Sequence, residues 1–213
     1  MRILALDSAL ARCSVALVEA GVVRAASSAP SGRGQSAVLA PMVAEVLAGR
    51  GFDAVAVTTG PGSFTGLRTA LSLAQGLAAD GRPVVGVTVA EALAQEVGPL
   101  AGRVLWTAID SRRGRVFLDA SGEMRPVLLT ELPRPPGPVA VAGDAAIAVA
   151  GRLAAWDCDV CLTDARLPRA EHVAAVAALR LAGVLPMLAA VPLYIDPPEA
   201  KLPAGGLRPP PGR

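Results

Sequence analysis

Lysine and histidine are almost missing from this chain of 213 residues: Lys201 and His172 stand alone. A Schiff-base mechanism, or a phosphate site built on a lysine point charge, would rest on one side chain. A Ser-His-Asp triad or a histidine-rich metal centre would have to use His172. That residue lies in an alanine-rich helical run, residues 170–181, beside Glu171 and Arg180, and reads as structural or surface. The three cysteines, Cys13, Cys158 and Cys161, cannot all pair. The odd count fits a reducing cytosol. Cys158 and Cys161 have redox or half-zinc spacing, but no second pair exists and the spacing reads as incidental. Long apolar runs are lacking too. Asp7 and Arg12 interrupt the first one, against a signal peptide. The longest uncharged stretch, 181–195, is too short for a bilayer and contains Pro186 and Pro192. The expectation is a soluble, cytoplasmic protein with no membrane attachment. A net charge of +2 and a pI of 8.7 do not by themselves ask for nucleic acid.

What the chain does have is apolar content, 53% of its residues, and one conspicuous turn. Residues 60–66 read Gly-Pro-Gly-Ser-Phe-Thr-Gly, between an apolar strand-like run at 54–57 and a helical run that begins at Leu67. Gly60, Gly62 and Gly66 permit close backbone approach, and Ser63 or Thr65 can cap the helix. Amides and the positive helix end then converge on one spot, a frequent phosphate cradle. The match to known phosphate loops is poor: Gly66 is followed by Leu67 and Arg68 instead of Lys-Ser/Thr, and Thr65 takes the sixth place of a dinucleotide fingerprint. A tight turn with a capped helix is the other reading.

Along the chain, runs at 2–6, 13–18 and 22–26 with short connections predict a meander of three strands. Asp7 ends the first, either as a metal or phosphate ligand or as a turn residue bonding its own backbone. Ser36 is expected to cap a helix reaching about Ala48, with Pro41 inside and a strip of Ala37, Ala40, Ala44 and Ala48. An interior strand at 54–59, a helix at 65–79 with Gly66, Leu73 and Gly76 off its core face, a strand at 83–87 and a helix at 90–97 follow. Gly98-Pro99 and Gly102 mark a boundary. The second half repeats the theme. A strand at 104–109 ends at Asp110, a basic turn 111–114 follows, and strands are expected at 116–119, 126–130 and 139–142. Helices are expected from Gly143-Asp144 to Ala155 and over 169–182. The reading is α/β: subdomains at 1–100 and 101–196, then a Pro/Gly tail at 197–213 expected to be disordered.

Several stretches together resemble the bacterial TsaB (YeaZ) family of tRNA threonylcarbamoyladenosine biosynthesis proteins. They are Ile3-Leu4-Ala5-Leu6-Asp7-Ser8, Ser36-x-x-Leu39-x-Pro41-Met42, the turn at 60–68, Ile109-Asp110-Ser111-Arg112-Arg113-Gly114 and Pro192-Leu193-Tyr194-Ile195. Two positions depart from the family pattern: Gln35 stands where members often carry His, and Asp196 interrupts a Tyr-x-Arg ending. The resemblance implies a duplicated actin-like, ribonuclease-H-like (ASKHA) fold. It also implies a non-catalytic partner of a TsaD-type transferase, assembling with a TsaE-type ATPase to modify adenosine 37 of tRNAs that read codons starting with A. ATP/ADP and metal are then expected on the partner subunits, none on this chain, with a homodimer when it is alone and tRNA met through the complex. The partner interface is expected at Ser36, Leu39, Ala40, Val43, Ala44 and Leu47 of one helix, and Arg68, Thr69, Ser72, Leu73 and Gly76 of the other.

The alternative is a nucleotide-binding phosphotransferase or ATPase active by itself. Asp7, Gly60, Gly62, Ser63, Thr65, Gly66 and Asp110 would then converge on a phosphate and Mg²⁺. The second half offers only Gly143-Asp144 toward the extra glycine-rich loops such enzymes use. A metalloprotease is excluded by the residue inventory, since one histidine with no His-Glu-x-x-His builds no zinc site. Arg112, Arg113 and Arg115 read as tRNA phosphate contacts or as a solvated turn.

Overall fold

The computed structural model describes residues 1–30 and 35–195, and for Gln35 and Ser36 the backbone only. The tail expected at 197–213 and the Asp196 departure lie outside the described residues.

The first half runs β1 (Arg2–Asp7), β2 (Arg12–Glu19), β3 (Val22–Pro30), α1 (Gln35–Leu47), β4 (Ala54–Gly60), α2 (Phe64–Leu77), β5 (Val84–Thr88) and α3 (Val89–Val97). The second half runs β6 (Val104–Asp110), β7 (Val116–Asp119), β8 (Met124–Val127), β9 (Val139–Ala142), α4 (Ala146–Ala154), β10 (Val160–Leu162) and α5 (Ala170–Leu181). Each half builds one five-stranded sheet, ordered β3-β2-β1-β4-β5 and β8-β7-β6-β9-β10. In both, the first three strands are an antiparallel meander and the last two add in parallel. The same strand order twice over is the duplication expected from the two strand-Asp-turn openings.

Alternation along β1 decides what each face of the first sheet carries. Leu4 and Leu6 point to the side covered by α1 and α2, where they meet Val15, Leu17, Leu39, Val43 and Leu71. Ile3 and Ala5 point the other way, with Ala16, Val85 and Val87. β4 is buried on both faces, which explains its unbroken apolar run. The second sheet packs on α4 through Trp106, Val141, Val149 and Leu153.

Three expectations need correction. The last long helix, α5, does not belong with the second sheet. Its Ala170, Val173, Ala174 and Ala177 cover the Ile3/Ala5 face of the first. Alanine on the helix and alanine on the sheet let the two approach closely. Ser14 of β2 supplies the cap that Arg169 does not, accepting a hydrogen bond from Ala170 N at 3.0 Å. The third strand of the second half is Met124–Val127 instead of 126–130, because Leu129–Glu131 turns as a 3₁₀ helix. Ser36 lies within the first turn of α1, since that helix begins at Gln35. The short parallel strand β10 was not foreseen.

Beyond α5 the chain crosses back over the first half as a strap. Gly86 N donates to Leu188 O at 2.9 Å, and Leu193 N to Thr59 O at 2.8 Å. Gly86 makes this possible: a Cβ there would lie 2.5 Å from the Ala189 carbonyl oxygen. Arg180, 6% exposed, pins α5, α3 and the strap by donating to Glu91 Oε1 and to Pro186 O. Glu91 also closes the capping box of α3 with Thr88. No helix among the described residues is long and apolar enough to cross a membrane.

Candidate functional site

Asp7 closes β1 with no exposed surface. Its Oδ1 accepts from Thr58 Oγ1 at 2.7 Å and from Ala9 N at 3.1 Å. Its Oδ2 is buried without a partner among the described residues. Burial pushes this carboxyl up to about 6, against the opposing pull of the Thr58 and Ala9 hydrogen bonds and the Arg12 charge. Asp7 thus combines the turn-residue bond to its own backbone with a cross-strand bond to β4.

The turn after β4 packs against Ser8 and Ala9, the residues that follow this group. Gly60 has φ 119°, and the Gly60–Pro61 bond is cis. Gly62 packs on the Ala9 carbonyl so closely that a Cβ there would collide with it. Ser63 N donates to Ala9 O at 2.7 Å. Ser63 Oγ accepts from Gly66 N at 3.2 Å, making Ser63 the cap of α2, while Thr65 is exposed on its first turn. Ser8 Oγ donates to Gly66 O at 2.7 Å. Two amides expected to face an anion therefore have partners inside the chain. Gly66, expected off the core face, is buried at this contact.

Asp110 occupies the matching place at the end of β6. Its Oδ1 accepts from Arg112 N at 2.8 Å, and its N donates to Asp144 Oδ1 at 2.8 Å. Arg112 pairs with both carboxylates, at 3.5 Å and 3.4 Å. Burial raises Asp144, opposed by the Asp110 amide and by Arg112. Among the described residues Asp7 and Asp110 share no partner, so each serves its own half.

α1 and α2 lie side by side over the first sheet. Leu39 and Val43 were expected at a partner interface, but they are 0% and 5% exposed and point into the core. The outer surface is Ala40 and Ala44 on α1 and Arg68, Ser72 and Gly76 on α2, all exposed, with Leu47, Thr69 and Leu73 half-buried. It is a strip of small side chains on two adjacent helices, of the kind that permits close helix–helix contact.

Sequence reasoning missed the cleft between the halves. A cavity of about 330 Å³ opens between the start of α2, the β6–β7 turn and the strap. Arg68 lies 3.9 Å from the centre of the Phe64 ring, and its Nη2 donates to Tyr194 Oη at 3.3 Å. The Phe64 and Tyr194 rings are 6.4 Å apart and tilted by 36°. Arg113 and Phe117 form the opposite wall. The clue was composition: the chain has three Phe, two Trp and one Tyr, and three of those six meet here.

Two sheets of identical strand order, each carrying an aspartate at the end of its central strand, define a duplicated actin-like protein. A family model described as TsaD, tRNA N6-adenosine threonylcarbamoyltransferase, matches residues 31–151. YeaZ from Pseudomonas aeruginosa is 32% identical with a TM-score of 0.71, covering 91% of this chain and 99% of that one. A second Pseudomonas aeruginosa structure, described as an uncharacterized protein with similarity to peptidase YEAZ, is 29% identical with a TM-score of 0.77. It covers 92% of this chain and 99% of that one. The tRNA threonylcarbamoyladenosine biosynthesis protein TsaB of Escherichia coli is 41% identical over 125 residues, 55% of this chain and 53% of the relative. The chain thus aligns with about half the length of its curated relatives. It belongs to the family that the matching model describes and, within it, to the TsaB/YeaZ group.

Proposed function

We propose that this protein is a non-catalytic partner and activator of a TsaD-type transferase. The pair, with a TsaE-type ATPase, would form N6-threonylcarbamoyladenosine at position 37 of tRNAs reading codons that start with A. Its place is the cytoplasm, and when alone it pairs with a second copy through the same helices, an isologous contact. ATP/ADP and metal belong to the partner subunits. The name of the Escherichia coli relative supports the pathway.

The observation that carries the accessory role is the sealing of Asp7. A carboxylate that holds Mg²⁺ or orients a phosphate must reach the ligand. This one has no exposed surface, and one of its oxygens is held by Thr58 and Ala9. The outer strip of α1 and α2 supports the partner-binding face. The alternative, a phosphotransferase active by itself, has no comparable support, since among the described residues Asp7 and Asp110 do not share a partner.

Ala44→Glu combined with Ser72→Glu should abolish co-elution with the transferase in gel filtration while leaving the thermal melt in place. Unchanged co-elution would remove the helix face. ATP turnover by the isolated chain would remove the accessory role.

A further inference from the structure

Half of the chain's aromatic side chains gather in one place, and two of them face water. Phe64 is 57% and Tyr194 54% exposed. Exposed aromatics beside arginine are the composition of a binding hot spot, not of a solvated surface. The charge in this cavity is one-sided, whereas the cavity adjoining it across Pro61, Leu193 and Ile195 carries Glu91, Asp119 and Glu123. Arg68 comes from the first half and Arg113 from the second, and no carboxylate is among the described residues that line the first cavity. Arg2, Arg82 and Arg180 elsewhere are neutralised by acidic partners. No such pair holds Arg68 or Arg113 among the described residues.

We propose that this cleft is a second docking surface, which takes an extended acidic segment of the partner protein. An apolar side chain enters between Phe64, Phe117 and Tyr194, and flanking carboxylates meet Arg68 and Arg113. The inference rests on the partner-binding reading above and adds a cleft that meets the helix face at Arg68. A cavity of about 330 Å³ is at the lower end of ligand clefts, room for an anchor side chain and not for a folded domain. The acidic groups are carboxylates, the anions that a protein segment carries. Two of the turn amides that a phosphate would use are engaged, Ser63 N with Ala9 O and Gly66 N with Ser63 Oγ. The remaining positive groups are two guanidinium forks at the rim, suited to bidentate carboxylate pairing. Arg68 is already oriented by stacking on Phe64 and by the Tyr194 hydroxyl.

The test uses the full chain with the transferase partner. A photo-reactive p-benzoylphenylalanine at position 64 is irradiated in the complex, and the cross-linked peptide is identified by mass spectrometry. In parallel, calorimetry compares wild type with Tyr194→Ala, with Arg68→Gln/Arg113→Gln and with Ala44→Glu. The expected cross-link falls on an acidic stretch of the partner. Tyr194→Ala weakens association by roughly 30-fold, as a hot-spot truncation does. The double arginine variant weakens it by about 3- to 10-fold and flattens its salt dependence. These positions are at the surface, so the melting temperature serves as the folding control. A cross-link to a basic or neutral segment overturns the proposal. So does partner affinity within twofold of wild type in the cleft variants. If only Ala44→Glu weakens binding, the helix face stands and the cleft falls. If the cleft variants lose ADP binding by the isolated chain but keep the partner, the cleft is a nucleotide site instead. If wild type forms no complex, both readings fall together.

Discussion

Asp7→Asn should make the protein more stable at neutral pH and leave it with a flatter pH profile. The carboxyl titrates at about 6 in the folded state against an ordinary value of 3.8. Below pH 3.8 it is protonated in both states and contributes no difference. Between 3.8 and 6 the unfolded chain releases the proton and the folded one keeps it. Stability tied to this group is therefore full at low pH and lost as pH rises through 6. The difference of about two pH units corresponds to about 3 kcal/mol at pH 8. Asparagine keeps an oxygen for Thr58 and Ala9 and removes the charge. Its amide nitrogen inherits the unpartnered position of Oδ2, at a cost of about 1–2 kcal/mol. The net expectation at pH 8 is a gain of about 1–2 kcal/mol, turning into a loss of similar size at pH 4. Urea denaturation of both proteins from pH 4 to 8 measures this. Every other titrating group cancels in the difference, which should change by about 3 kcal/mol across the range. A difference that stays constant within about 1 kcal/mol would show that the buried carboxylate is not penalised.

Other perturbations read out other contacts. Glu91→Gln keeps the Thr88 cap but leaves the Arg180 guanidinium without its counter-charge. Because Glu91 is a third exposed, the loss should be about 2 kcal/mol by urea denaturation, not the larger value of a fully buried pair. Gly86→Ala drives a methyl into the Ala189 carbonyl. It should cost about 1–3 kcal/mol and open the strap to limited proteolysis near residue 189. Ser63→Ala removes the α2 cap and should cost about 1 kcal/mol in the same titration.

The first half was legible because its strands are long and its signals agree. An unbroken apolar β1, a doubly buried β4 and a Gly/Ser turn before an apolar helix all point to one answer. β10 was not, since three residues with Cys161 and Leu162 exposed carry no pattern. The destination of α5 was hidden for a different reason. An alanine-rich face says that a helix is covered, not by which sheet. Leu39 and Val43 show the same limit within one helix, where inward and outward positions differ by a single step in sequence. Asp7 and the turn were found as chemistry-bearing residues, but the complete burial of the aspartate and its bond to Thr58 are tertiary facts. The cleft joins Phe64, Arg113 and Tyr194 across most of the chain length, beyond the reach of any local motif.

The return of α5 and the strap to the first sheet sets an order of events during synthesis. When the ribosome has produced the opening hundred residues, Ile3, Ala5, Ala16, Val85 and Val87 still lack the helix that shields them. That oily face waits for some eighty further residues before its own chain can close over it. A fragment cut at the midpoint would leave this surface without α5, covered only by Ala92 of α3.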